Sequence, residues 1–160
     1  MKDIKPIFLL RFAAVLLLFA AGMGSAKAAV HVYSGPYAYS SEIMYTWDGE
    51  RLYSGAYAYS SNILYTFDGK HIYSGPYTYS SNILYTWDGK HIYSGPYTYS
   101  SEIMCTIASN HIYSGAYTYS SNILYTFDGK HVYTGAYDYS SNIVCPFDGP
   151  FPKALLPVIL

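Results

Sequence analysis

Charge is scarce in this chain of 160 residues, of which Asp, Glu, Lys and Arg make up only 12%. Beyond residue 28 five basic residues (Arg51, Lys70, Lys90, Lys130, Lys153) stand against nine acidic ones, a net charge of −4 with His neutral. A segment with no basic stripe is a poor reader of nucleic acid, and that partner class is set aside. Cysteine occurs only at Cys105 and Cys145, too few for a disulfide framework. No helical period runs through the chain after residue 28, which excludes a helical bundle. Gly-x-Ser-x-Gly, the metalloprotease helix motif and phosphate-binding loops are all missing.

Long apolar runs are missing too, save one. Lys2, Lys5 and Arg11 make a basic start, "FAAVLLLFAAGMG" (12–24) is a short apolar core, and Ala26-Lys27-Ala28 supplies a small-x-small cleavage pattern. Residues 1–28 read as a signal peptide, with an uncleaved anchor as the alternative. No Cys follows the apolar core, so a lipoprotein has no acceptor. The expected mature chain starts at about Ala29, is periplasmic or secreted, and does not span a membrane.

What is present is repetition. A 20-residue unit, "HIYSGPYTYSSNILYTWDGK" in its third copy, begins at His31, Arg51, His71, His91, His111 and His131 and runs without a gap to Pro150. Such a period marks a repeat architecture, so residues 29–150 are taken as one domain and 151–160 as an apolar tail. "NILYTF" and "HIYS" are β-branched and aromatic, hence strands. Between them sits Asp-Gly, which predicts a two-residue type I′ hairpin with Trp87 opposite Lys90 and Tyr85 opposite Ile92. One face then carries Ile83, Tyr85, Trp87 and Ile92 as core; Leu84, Thr86, His91 and Tyr93 share the other. Gly in every "SG-Y-YSS" connection predicts a bend or bulge there. The fold is therefore all-β, with twelve short strands.

Two architectures accommodate six hairpin units: a closed radial array, or an open β-hairpin solenoid. The phase of the repeat favours closure. The repeat region opens on a second strand ("HVYSG", from His31) and ends on a first strand ("NIVCPF", to Phe147), and pairing these orphans removes both exposed edges. Six "HIYSG-YxYSSNILYTFDGK" copies over residues 31–150 resemble the six-fold β-flower proteins, a largely uncharacterised family. That resemblance implies a shallow barrel of petal-like hairpins and hints at ligand binding; it transfers no functional residue.

The 22 tyrosines fall at four places in the repeat. Tyr45, Tyr65, Tyr85 and Tyr125 are expected in the core. Tyr37, Tyr57, Tyr77, Tyr97, Tyr117 and Tyr137, in the connections, are the candidate ligand platforms for sugars, lipids or cationic head groups; structure-building is the competing role. His31, His71, His91, His111 and His131, with Arg51 in the same place, form a second candidate set. In a closed array they make a ring for anions or a metal; otherwise each His merely flanks its turn. Asp48, Asp68, Asp88, Asp128 and Asp148 are explained by their turns. Glu42 and Glu102 are three copies apart, too far for a catalytic pair across a closed ring.

Cys105 and Cys145, two copies apart, would lie roughly 10–20 Å from each other in a regular barrel. A bridge needs Cα atoms within about 7 Å, so two buried thiols are expected. "TIASN" (106–110) lacks Asp-Gly and predicts a looser turn. The tail is too short and Pro-interrupted to span a bilayer and is expected to pack across one end. No cofactor is called for. The functional expectation is an exported, non-catalytic binding or scaffold protein whose partner is a small ligand, glycan, lipid or protein. A cell-wall or glycan-binding repeat protein is the alternative. Choline-binding repeats are near this length, but their Gly-Trp pattern is missing and only Trp47 and Trp87 occur.

Overall fold

The computed structural model describes residues 28–160; the predicted leader lies outside the described residues except for Ala28. Twelve strands follow one another: β1 Val30–Tyr33, β2 Ile43–Trp47, β3 Arg51–Ser54, β4 Ile63–Phe67, β5 His71–Ser74, β6 Ile83–Trp87, β7 His91–Ser94, β8 Ile103–Ala108, β9 His111–Ser114, β10 Ile123–Phe127, β11 His131–Thr134 and β12 Ile143–Pro146. They form one antiparallel sheet in chain order, a nearly closed, barrel-like array of hairpins.

The orphan strands meet as their phase predicts. Val32 bridges Phe147, and the Asp148 N–H donates to the His31 carbonyl at 3.3 Å. The His31 N–H in turn donates to Asp148 Oδ1 at 2.6 Å, as the His91 N–H does to Asp88 Oδ1 inside an ordinary hairpin. The seam thus rebuilds a repeat turn from residues 117 apart in sequence. It is tight: a Cβ on Gly149 would meet Val30 Cγ2 at 2.9 Å.

The predicted turn register is corrected. Trp87 pairs with Ile92, not Lys90, and Thr86 pairs with Tyr93. Asp is not a central turn residue but the one before the tip: Asp88 Oδ1 accepts the N–H groups of Lys90 (2.8 Å) and His91 (2.6 Å), and Gly89 takes φ +97°. A side chain that caps the turn outweighs the local Asp-Gly preference for the central positions. The displacement is two residues, which keeps Tyr85, Trp87 and Ile92 on the core face. Ile83, expected beside them, pairs with Tyr73 of the opposite face because the strand bulges at Leu84, and it stays outside the core cluster. Ile92 and its equivalents Val32, Leu52, Ile72, Ile112 and Val132 accordingly form one core cluster, against which Tyr45, Tyr65, Tyr85 and Tyr125 pack.

The opposite face is more buried than its mixed composition predicts. Thr86 is fully buried, and its hydroxyl donates to the Gly95 carbonyl at 2.7 Å, drawing the next connection over the sheet. Thr46, Thr66, Thr106 and Thr126 do the same. Gly75 takes φ +71°, but the bulge falls opposite, at Leu84, where Tyr73 pairs with Ile83 and Ile72 with Tyr85.

The fourth turn is not loose in geometry. Ala108 pairs with His111, extending the ladder by one pair, and the tight reversal falls on Ser109 at φ +53°. The tail enters the core: after a short 3₁₀ turn (Lys153–Leu155) comes α1, Leu156–Ile159, and Ala154, Leu155 and Leu156 are buried within the cluster. Cys105, where four copies have Tyr, leaves a cavity of about 270 Å³ shared with Val158 and Leu160, so the smaller side chain makes room for the tail. Cys105 and Cys145 are buried, unbridged thiols, pushed up to about 11 and about 12 by burial. No helix among the described residues is long and apolar enough to cross a membrane.

Candidate functional site

The connections carry the most unusual surface. Tyr77 is 60% exposed and Tyr79 62%, and their rings lie 5.5 Å apart at 22°, stacked. The segment between the Gly bend and the 3₁₀ turn Ser80–Asn82 is extended, with Tyr79 at φ −77°, ψ 143°. Residues two apart in such a segment point the same way, which is why the rings meet. Every copy repeats the pair: Tyr37–Tyr39, Tyr57–Tyr59, Tyr97–Tyr99, Tyr117–Tyr119 and Tyr137–Tyr139 have ring centroids 5.5–5.6 Å apart. Polar groups flank them: Ser81 bonds Asn82, whose amide reaches the Tyr77 carbonyl at 3.4 Å. The second tyrosine of each pair was missed as a site residue. The Tyr-x-Tyr spacing was the signal that would have found it.

The histidines are held differently. Asp88 Oδ2 accepts the Tyr93 hydroxyl at 2.7 Å and lies 3.1 Å from His91 Nδ1, so the ring belongs to its turn. The same Asp–His contact recurs for His71 (3.5 Å), His131 (3.2 Å) and, across the seam, His31 (2.7 Å). His111 faces a turn without Asp and packs 5.9 Å from Tyr113. Arg51 contacts Glu50 at 3.7 Å and leaves Nε buried without a hydrogen-bond partner. Among the described residues no three His, Cys, Asp or Glu side chains are grouped to hold a metal ion. Glu42 accepts from Ser34 at 2.7 Å and Glu102 from Ser101 at 3.4 Å, each within its own copy.

These turns are electrostatically set. Burial pushes the Asp68 carboxyl up, but the N–H groups of His71 and Lys70, the Tyr73 hydroxyl and the His71 ring together hold it down at about 2. Asp128 is likewise held at about 2, and Asp48, Asp88 and Asp148 are lowered by the same kind of partners. Burial and the bond to Asp68 raise the Tyr73 hydroxyl to about 12. Each carboxylate is thus a turn anchor whose acceptor capacity is committed.

Chemically, the array offers six exposed aromatic platforms with hydroxyl and amide groups beside them. Leu52, Ile72, Ile92 and Leu155, by contrast, are fully buried in the apolar core cluster. No curated protein and no solved structure matches the chain. The model of a protein family described as "6-fold beta flower protein" matches residues 32–159. With six hairpin copies, a nearly closed twelve-stranded sheet and this match over most of its length, the chain belongs to the six-fold β-flower family.

Proposed function

We propose that this is an exported, non-catalytic binding protein that engages its partner through the six Tyr-x-Tyr loops, and that the partner is a glycan surface. The observation that carries this reading is the exposure of twelve paired tyrosines, 59–65% each, on short loops, five of which are anchored by a buried Thr hydroxyl. Burying an aromatic ring is favourable, so this much exposed ring area implies a surface kept for contact. Tyr faces stack on apolar sugar faces while the neighbouring Ser and Asn groups bond hydroxyls. Six equivalent loops suit a repetitive polymer, where weak single contacts multiply. Catalysis needs an asymmetric constellation, whereas the turn carboxylates here serve five equivalent turns.

The test is retention on peptidoglycan and glycan resins by the exported protein and by a variant with Tyr→Ser at both positions of all six loops. Retention lost with an unchanged circular dichroism spectrum supports the reading; equal retention, or none by the parent chain, refutes it. Turnover of the polymer that one substitution abolishes would refute the non-catalytic assignment. Intact mass tests the address: a chain starting at about Ala29 is expected, and a retained leader would contradict export by cleavage.

A further inference from the structure

One concavity breaks the sixfold pattern. At the turn end of the array a groove of about 920 Å³ lies between the first two turn tips and the seam, lined by Trp47, Phe67 and Phe151 with Glu50 and Asp68 beside them. Trp47 meets Phe151 edge-on at 6.3 Å and Phe67 at 6.5 Å, so three rings converge on one wall. Phe151 comes from outside the repeat, and no other copy has it.

Charge departs from the repeat at the same place. Copies two, three and five end in Lys70, Lys90 and Lys130, whereas the first ends in Glu50, a reversal from basic to acidic. The Glu50 side chain is 63% exposed, and its 3.7 Å contact with Arg51 is long for an ion pair. The chain also shows what such a wall can hold. Phe127 occupies in copy five the position of Trp47 in copy one, and Lys153 places its own ammonium 5.1 Å from that ring's centroid.

We propose that this groove binds an organic ammonium cation, with the aromatic wall facing its alkyl groups and Glu50 its charge. Rings draw cations by their quadrupole, and a carboxylate at the rim of a mostly apolar groove selects a cation over a neutral isostere. The site is single, since it needs the tail and the reversed charge, and it is independent of the Tyr loops.

The test uses the exported chain carrying Trp87→Phe, the residue found there in copies two and five, so that Trp47 is the sole tryptophan and is excited selectively at the red edge, where tyrosine does not absorb. Choline chloride is titrated against a sodium chloride control at constant ionic strength, and its neutral isostere 3,3-dimethylbutan-1-ol is titrated separately. Saturable change in Trp47 emission is expected, with choline at least about fivefold tighter than the alcohol. Glu50→Gln should remove most of that preference, and Glu50→Lys, the repeat consensus, should abolish choline binding with the circular dichroism unchanged. No saturation, equal binding of the two probes, or undiminished choline binding by Glu50→Lys overturns the proposal.

Discussion

Replacing one turn carboxylate, Asp88→Ala, tests the account of what holds a petal together. Asp88 accepts the N–H groups of Lys90 at 2.8 Å and His91 at 2.6 Å and the Tyr93 hydroxyl at 2.7 Å. The two N–H groups sit at an exposed turn and recover water, costing about 0.5 kcal/mol each. Tyr93 is 6% exposed, and its stranded hydroxyl adds about 1–3 kcal/mol. The expected loss is about 2–4 kcal/mol, which at an m-value of about 1.5 kcal/mol/M lowers the urea midpoint by roughly 1.5–2.5 M. Asp88→Asn keeps an acceptor but not the charge and should lose about half as much. The sign with pH follows from the lowered carboxyl. Its ordinary value is 3.8 and its folded value lies below that, so its stabilisation is complete above the ordinary value and disappears as pH falls through the folded one. The gap between parent and Asp88→Ala must therefore be constant from neutral pH down to about 5 and narrow below about 4. Urea melts at neutral and acid pH read both quantities. A midpoint shift under about 0.3 M at neutral pH, or a gap that widens in acid, would refute the anchor role.

Three further outcomes are expected. Ser109→Gly should stabilise the chain by about 1 kcal/mol, because Ser109 holds φ +53°; a destabilised urea melt would show the fourth turn to be under no backbone cost. Leu155→Ala should cost about 2–4 kcal/mol, since Leu155 is fully buried in the core; a thermal melt within a degree of the parent would mean that the tail is dispensable. Cys105 and Cys145 should resist Ellman's reagent in the native chain, buried thiols held at about 11 and about 12, and both should react on unfolding; rapid native labelling would contradict their burial.

Some of this molecule was open to reading because its determinants are local or periodic. Alternation in "NILYTF" sorts core from surface along its unbulged part, so Ile92 and Tyr85 fall on the expected face although their pairing is displaced by two residues, whereas Ile83 beyond the bulge at Leu84 does not. The phase of the copies foretold the seam because unpaired strand edges carry a cost that closure removes. The turn register was not legible. It depends on a carboxylate reaching two N–H groups and a tyrosine hydroxyl five residues on, contacts that exist only once the hairpin has formed. The Tyr pairs were half legible: composition exposed the first ring of each, but stacking needed the extended path between Gly bend and 3₁₀ turn.

By itself, then, the sequence determined the repeat, the all-β class, the six-hairpin count and the meeting of the first and last strands, since period, alternation and phase are properties of the chain. Tertiary structure alone decided which residues the closed array brings together across long separations. It joins Asp148 to His31, sinks Leu155 among side chains from all six copies, and sets Phe151 beside Trp47. Those contacts come from how twelve strands curve and where the tail turns inward, and no 20-residue window contains them.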